Sequence, residues 1–322
     1  MVSEHERSGA PGIDPSPLAT VVIPTHDRDA FARRAVASAL AQTATPVEVI
    51  VVDDGSPQPF RLADADARVR VIRREGSGGP CVARNAGLAE ARGRWIVFLD
   101  DDDELLPDML EASLQAAASS ELPQPVAVLS CIRVVDDRGE QIDSRCPPTL
   151  ARGGHWFLDG SGEGRFRSER TLVVPAAVIR SVGGFDERVR ATEDKDLFLR
   201  LNAVCSLQGL ARETYRKTEH RGPKLLANTG ALADGIRMTL EKHGDLIATY
   251  PRKQATLLSS MALYDLQAGR WLAPISAAVR AIGRDPRRPR YYGRLLLCLS
   301  GPWGFRAARR VRRTIGRKGS AA

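Results

Sequence analysis

Three short apolar runs in the first hundred residues each stop at a cluster of polar groups. Thr20-Val21-Val22-Ile23 ends at Pro24-Thr25-His26-Asp27-Arg28, residues 47–52 end at Asp53-Asp54-Gly55-Ser56, and residues 95–99 end at Asp100-Asp101-Asp102-Asp103. The runs are short and β-branched, so they read as buried strands. Between them the period changes. Residues 29–41 carry Phe31, Ala35, Val36, Ala39 and Leu40 on one helical side, with Asp27 or Asp29 placed to cap the start. A third β-branched run follows at residues 69–72. A Gly-rich loop at residues 76–79 then opens a helix to about residue 91. Strand and helix alternating in this way predict an α/β fold with a mostly parallel sheet and crossover helices. Ligands of such sheets bind beyond the carboxyl ends of the strands. The three polar clusters are therefore expected to meet in one crevice.

The second half is less regular. Residues 107–119 read as helix, 126–135 as strand leading to a turn at 136–139, 145–167 as a long loop of the lid or acceptor-binding kind, 172–174 as strand, 176–181 as a short helix and 194–202 as helix. From Leu225 the pattern is helical, broken at Pro251, Pro274, Pro289 and Pro302. The expected organisation is a polar, disordered leader over residues 1–17, an α/β domain over 18–221 and a helical C-terminal region over 222–322. With 43% hydrophobic residues, a sizeable packed core is expected. The leader has no apolar core of a signal peptide, and no stretch reaches the length of a spanning helix.

The five cysteines, Cys81, Cys131, Cys146, Cys205 and Cys298, are odd in number and scattered. They read as unpaired thiols outside any zinc site, hence a reducing, cytoplasmic setting. The net charge of +8 belongs to one end. Eleven Lys and Arg and no acid lie between Pro286 and Ala322, while the rest of the chain holds 36 basic against 39 acidic residues.

Each polar cluster has an ordinary reading beside a chemical one. Four adjacent aspartates repel one another, and a solvated acidic turn would explain them. At a strand's carboxyl end they also offer hard oxygen donors to Mg²⁺ or Mn²⁺, which keep waters and bind substrate phosphates. Asp53 and Asp54 suit a strand-ending turn and equally a carboxylate that accepts a nucleobase N–H. In residues 78–87, Arg84 offers a fork of donors near a helix start that can face phosphate, or a surface ion pair. Glu193-Asp194 opens a helix, so capping explains it. A general base is the other reading, with one of the two side chains facing an acceptor.

Taken together these segments resemble the family-two glycosyltransferases of the GT-A-type (Rossmann-like) fold. The resemblance rests on Val22 to Arg28, Val51 to Ser56, Ala83-Arg84-Asn85-Ala86-Gly87, Phe98 to Asp103, and Gly183-Gly184-Phe185-Asp186-Glu187 followed by Glu193-Asp194-Lys195-Asp196-Leu197. It covers about residues 19–220. It implies that Pro24, Thr25 and Arg28 line a nucleotide pocket, that Asp53 hydrogen-bonds the base with Asp54 beside it, and that Arg84 lies near the base or diphosphate. Asp100 and Asp102 match the family's DXD aspartates at ribose and metal, with Asp101 between them at the donor. Asp194, next to Glu193, matches the family's base, and His220 a histidine that completes the metal site in some members. The implied reaction is inverting transfer of a sugar from a nucleotide diphosphate, UDP favoured, to an acceptor hydroxyl in one metal-assisted displacement. His26-Asp27 stands where the family often has Tyr-Asn or Phe-Asn, and Lys195 where Trp is common.

A sugar-nucleotide pyrophosphorylase would need a Gly-rich, Arg-bearing signature after the first strand, where this chain has Pro24-Thr25-His26. A non-catalytic sugar-nucleotide-binding or assembly protein is expected to have lost Asp102 or Asp194, and both are present. In the tail, Tyr291, Tyr292, Leu295 to Leu297, Leu299, Trp303 and Phe305 lie among arginines. This mixture suits an anionic membrane surface and with it a lipid-linked or cell-envelope glycan acceptor. No nucleic-acid-binding motif accompanies it. The station expected is the inner face of a membrane, as a peripheral protein.

Overall fold

The computed structural model describes residues 17–62, 66–155, 158, 171–219 and 228–306. Among the described residues nine strands form one sheet in the order β3-β2-β1-β4-β8-β6-β9-β5, with β7 paired to β6. The first half is the expected one. The strands β1 (Ala19–Thr25), β2 (Val47–Asp53), β3 (Val69–Arg73) and β4 (Trp95–Phe98) are parallel to one another. The helices α1 (Asp29–Leu40) and α2 (Pro80–Glu90) make the crossovers. Every residue of β2 is buried, as a parallel strand covered on both faces requires. Helix α2 lies so close to the sheet that a Cβ on Gly87 would sit 2.4 Å from Val22 Cγ1. Neither Asp27 nor Asp29 caps α1; Arg28 occupies the cap position, and Asp27 adopts a left-handed backbone, φ 54°.

The second half is mixed. After the two-residue strand β5 (Glu104–Leu105) and helix α3 (Met109–Ala118) comes β6 (Val126–Val135). It turns back as β7 (Gln141–Arg145), so the segment expected to open a long loop at Arg145 is still strand there. The short β8 (Val173–Pro175) runs antiparallel to both β4 and β6. Then come α4 (Ala176–Ser181) and α5 (Glu193–Val204). The thirteen-residue β9 (Ser206–Thr218), which the sequence reading missed, runs parallel to β6. Its segment Ser206-Leu-Gln-Gly-Leu-Ala-Arg-Glu-Thr-Tyr has neither an apolar run nor a clean alternation.

The cysteines are not all unpaired: Cys131 and Cys146 form a disulfide, while Cys81, Cys205 and Cys298 are free and buried. The hairpin explains the pair. Ile132 is opposite Arg145 in the β6–β7 register, so the next position outward sets Cys131 against Cys146. The inference from cysteine usage to a reducing compartment is thereby withdrawn.

The helices α6 (Thr229–Lys242), α7 (Gly244–Ala248), α8 (Pro251–Gln267), α9 (Ala273–Arg284) and α10 (Pro289–Leu299) follow. Pro251, Pro274 and Pro289 lie in first turns, where a missing N–H costs nothing, so they start helices rather than interrupt one. These helices pack around their own core of Ala233, Leu258, Ala262, Ala278, Tyr291 and neighbours. A small cluster of Leu199 and Ile247 with Leu158 joins them to the α/β body. No helix among the described residues is long and apolar enough to cross a membrane.

Candidate functional site

The registers bring the three polar clusters together. Thr25 is opposite Asp53 across β1 and β2, and Val22 is opposite Phe98 across β1 and β4. Leu99 then donates its N–H to the Val22 carbonyl at 3.0 Å, which carries Asp100 to the level of Pro24.

Within the acidic run the four carboxylates take different directions. Asp101 turns inward and is buried, accepting from Thr25 Oγ1 at 2.8 Å and Arg28 Nη1 at 3.1 Å. Burial pushes its carboxyl up to about 6 against the pull of those two partners. Asp103 is also buried, receiving the Tyr215 hydroxyl at 2.9 Å and the Thr218 N–H at 3.2 Å, both from β9. Asp100 and Asp102 remain half-buried. Arg84 Nη2 donates to Asp100 at 2.6 Å, and Arg28 Nη1 to Asp102 at 3.1 Å. One carboxylate oxygen from each of Asp100, Asp102 and Asp103 falls within 4.8 Å of the others. Such a hard-oxygen set, two of its members open to the crevice, fits a divalent cation that keeps waters and phosphate oxygens in its shell.

The turn after β2 is built otherwise. Asp53 is fully buried, and its two oxygens accept from the N–H groups of Ser56 (2.9 Å) and Phe60 (3.0 Å) and from Arg73 (2.6 Å). Asp54 holds the Gly-rich loop, accepting from Gly78 N–H, Gly79 N–H, the Ser77 hydroxyl and Arg74. Burial alone would raise both carboxyls; these hydrogen bonds outweigh it and hold both below the usual range. His26 Nδ1 rests 2.9 Å from the Asp54 carbonyl, so His26 ties the first cluster to the second.

Arg84 is the link to the far side of the crevice. Its guanidinium stacks 5.1 Å from the Phe185 ring centroid, and Nη1 lies 3.9 Å from Glu193 Oε1. Its neighbour Asn85 clasps the Phe185 backbone, accepting from its N–H and donating to its carbonyl, both at 2.9 Å. Phe185 in turn sets its ring edge-on to Phe98 at 5.0 Å. The segment before Glu193-Asp194 is thus fixed against the strand that ends in the acidic run.

The start of α5 is strained. Thr192 adopts φ 82°, ψ 18°, a left-handed conformation rare for a β-branched residue. Its hydroxyl is buried with no hydrogen-bond partner and does not cap the helix. Helix α6 holds it there: a Cβ on Gly235 would sit 1.9 Å from the Ala191 carbonyl oxygen. One turn on, Asp196 is buried and receives Arg200 (2.7 Å), Lys242 (2.9 Å) and His243 (2.9 Å). Lys242 also reaches Asp186 at 2.9 Å. Glu193 and Asp194 are both half-buried; Glu193 lies beside Arg84, and Asp194 accepts the Lys195 N–H at 2.8 Å.

Of the residues singled out from the sequence, Thr25, Arg28, Arg84, Asp100, Asp101, Asp102 and Glu193 are joined by direct contacts. Pro24 lies on the same strand end, and Asp53 and Asp54 lie beside it as the framework of the next loop. His220 lies outside the described residues. Asp103, a member of the acidic run read as cation-binding, falls in the same carboxylate group as Asp100 and Asp102; unforeseen were Tyr215, Asn85, Asp196 and Gly235. Asn85 and Asp196 stand inside quoted segments; Tyr215 and Gly235 sit where the sequence carries no signal of a site.

A parallel α/β half whose strand ends present a cluster of carboxylates, with Arg84 bridging from it to the carboxylate-bearing start of α5, is the arrangement of a GT-A-type fold. Residues 20–154 match the model of the family described as Glycosyl transferase family 2. It is 44% identical over 110 residues to the succinoglycan biosynthesis protein ExoO of Rhizobium meliloti, a match covering 33% of this chain and 32% of that one. It is 26% identical over 210 residues to an uncharacterized glycosyltransferase of Rickettsia prowazekii, covering 60% and 61%. The chain therefore matches less than two thirds of the length of these relatives. In fold it is similar to S. aureus TarS residues 1–349, solved in complex with UDP-GlcNAc, with a TM-score of 0.56 at 16% identity over 87% of this chain and 90% of that one.

Proposed function

We propose that this protein is an inverting glycosyltransferase that moves a sugar from a nucleotide diphosphate, UDP favoured, to an acceptor hydroxyl by direct displacement. The observation that carries the reading is the line Asp100–Arg84–Glu193, which sets a cation-binding carboxylate group and a helix-start pair of acids on two sides of one crevice. Mn²⁺ or Mg²⁺ held by Asp100 and Asp102, with Asp103 behind them, would supply Lewis-acid neutralisation of the leaving diphosphate. Arg84, buried and always charged, orients Asp100 and adds positive charge where phosphate oxygens gather. Arg28, Thr25 and Pro24 shape the nucleotide side of the crevice, with Asp101 holding Arg28 in place. Asp194 takes the proton of the attacking hydroxyl, and Glu193 fixes the helix start against Arg84. Attack from the face opposite the diphosphate inverts the anomeric centre, with no covalent sugar on the protein.

The UDP preference draws on the TarS complex. The acceptor class, a cell-envelope or lipid-linked glycan, draws on the succinoglycan protein among the relatives. A lipid-linked acceptor gives the enzyme a peripheral station at the inner face of the membrane. The test is a thermal-shift and nucleotide-release assay with purified protein, Mn²⁺ or Mg²⁺ and a panel of nucleotide sugars. Stabilisation by one donor, dependent on metal and lost in Asp102→Ala, is the expected result. Full turnover by Asp194→Asn would remove that residue's role as base.

A further inference from the structure

Of the nine large hydrophobic side chains exposed among the described residues, six lie between residues 272 and 303: Leu272, Val279, Tyr292, Leu296, Leu299 and Trp303. Leu272 is 85% exposed, Trp303 81% and Leu296 67%. They are not scattered. On α10, Tyr292, Leu296 and Leu299 follow the i, i+4, i+7 spacing of one helical face, while Tyr291 and Cys298 on the other face are buried in the helical core. At the start of α9 and along it, the cap residue Leu272 and Val279 are likewise seven residues apart, opposite the buried Ala277, Ala278 and Ala281. Two consecutive amphipathic helices therefore each leave one apolar stripe in water, which a chain does not keep without an occupant for it.

The charge around the stripes says which occupant. Arg280, Arg284, Arg287, Arg288, Arg290 and Arg306 are exposed on the same helices and the turns between them. Arg306 stacks over the Trp303 ring at 4.8 Å. The one acid after residue 272, Asp285, is buried and turned to Arg288. A second copy of this surface would bring like charges together. An apolar stripe rimmed by arginines is complementary to lipid acyl chains beneath anionic headgroups.

We infer that α9, α10 and the turn bearing Trp303 form a docking surface for an anionic lipid bilayer, lying in its interface without crossing it. This gives the peripheral station proposed above a defined surface, and it removes Tyr291 and Phe305, both core residues, from the membrane-contact set read from the sequence. Through Gly235 the helical region is seated directly on the Ala191–Thr192 turn. A bilayer that holds α9 and α10 therefore holds the Glu193-Asp194 crevice at a fixed height above the headgroups, where a lipid-linked acceptor would present its hydroxyl.

The test is flotation of the full chain with vesicles at low salt, read without any donor or acceptor, so that its failure and a failure of the glycosyltransferase reading are separate. Binding is expected to equal mixtures of phosphatidylglycerol and phosphatidylcholine and not to phosphatidylcholine alone. Leu296→Asp combined with Trp303→Ser, and separately Arg280→Glu with Arg287→Glu, should each lower vesicle affinity at least about tenfold with unchanged Tm. The inference is overturned by three outcomes: no flotation with anionic vesicles, flotation that both variants retain, or a self-association of the wild type that Leu296→Asp abolishes.

Discussion

Two aspartate-bearing turns follow parallel strands in this chain, and in sequence they look alike: Asp53-Asp54 after β2 and Asp100 to Asp103 after β4. In the fold they differ. After β2 the two buried carboxylates are occupied by the protein itself, on the N–H groups of Ser56, Phe60, Gly78 and Gly79 and on Arg73 and Arg74. After β4 the inward pair, Asp101 and Asp103, is likewise occupied, while Asp100 and Asp102 stay half-buried, each held by an arginine rather than by backbone N–H groups, with one oxygen apiece within 4.8 Å of one from Asp103. Chain position puts an acid at a ligand-binding edge, but whether it serves a ligand depends on how many of its lone pairs the backbone has already taken. The first turn has the build of a framework and the second that of a donor site with its own framework beneath.

The sharpest separation of the two turns comes from single substitutions. On the proposed reading, Asp102→Ala should lower transfer by at least about a thousandfold, the equivalent of about 4 kcal/mol of transition-state stabilisation, with little change in Tm. Steady-state kinetics with saturating Mn²⁺ beside a melting curve would show it. Asp53→Ala should do the reverse. It leaves two buried N–H groups without an acceptor, so a loss of about 3 kcal/mol of stability is expected, seen in the urea midpoint, with a smaller effect on transfer in the protein that stays folded. A stable Asp53→Ala that has lost affinity for UDP would break the comparison and return Asp53 to the base-binding role implied by the resemblance.

How much of this was legible follows from the kind of interaction. Strands β1, β2 and β4 announce themselves because burial on both faces demands continuous apolar runs. The convergence of their ends follows from parallel topology alone. Strand β9 was not legible, since Arg212, Glu213, Arg216 and Lys217 interrupt any pattern, and its register against β6 shifts between Ser130 and Ile132. With β9 went Tyr215 and Thr218, the partners that immobilise Asp103. The Cys131–Cys146 pair was hidden for a similar reason: it is a cross-strand relation, and counting cysteines cannot see a hairpin register. Gly235 stands within an ordinary helical pattern, and only the closeness of Ala191 gives it meaning.

That closeness offers a further test, on the side that the proposed reading gives to the acceptor. Gly235→Ala places a methyl group where the Ala191 carbonyl now lies. The helix must move or the Thr192 turn must relax, at a cost of about 1–3 kcal/mol. Because Thr192 leads directly into Glu193-Asp194, kcat should fall while donor affinity, read by the metal-dependent thermal shift, stays near wild type. Equal losses in both would mean that α6 supports the whole body rather than the acceptor-side acids.

The smallest effect expected concerns Asp196, which repeats on this side the chemistry of Asp53 and Asp54: a buried acid wholly taken up by partners. Burial would raise its carboxyl, but His243, Lys242 and Arg200 prevail and hold it at about 2. An unfolded aspartate titrates near about 3.9, so the folded chain takes up this proton less readily than the unfolded one. The contribution of Asp196 is therefore complete above about pH 4 and disappears as the pH falls through about 2, a loss of about 2–3 kcal/mol. Other carboxylates weaken the fold in acid as well, Asp53, Asp54 and Asp186 among them, so the wild type alone cannot isolate the term. The stability gap between wild type and Asp196→Asn can. Measured by urea unfolding, it should be constant from about pH 7 to about pH 5 and should narrow below about pH 4. A gap that persists unchanged into acid would mean that Asp196 acts through shape and neutral hydrogen bonds, and that its likeness to the framework acids after β2 ends at burial.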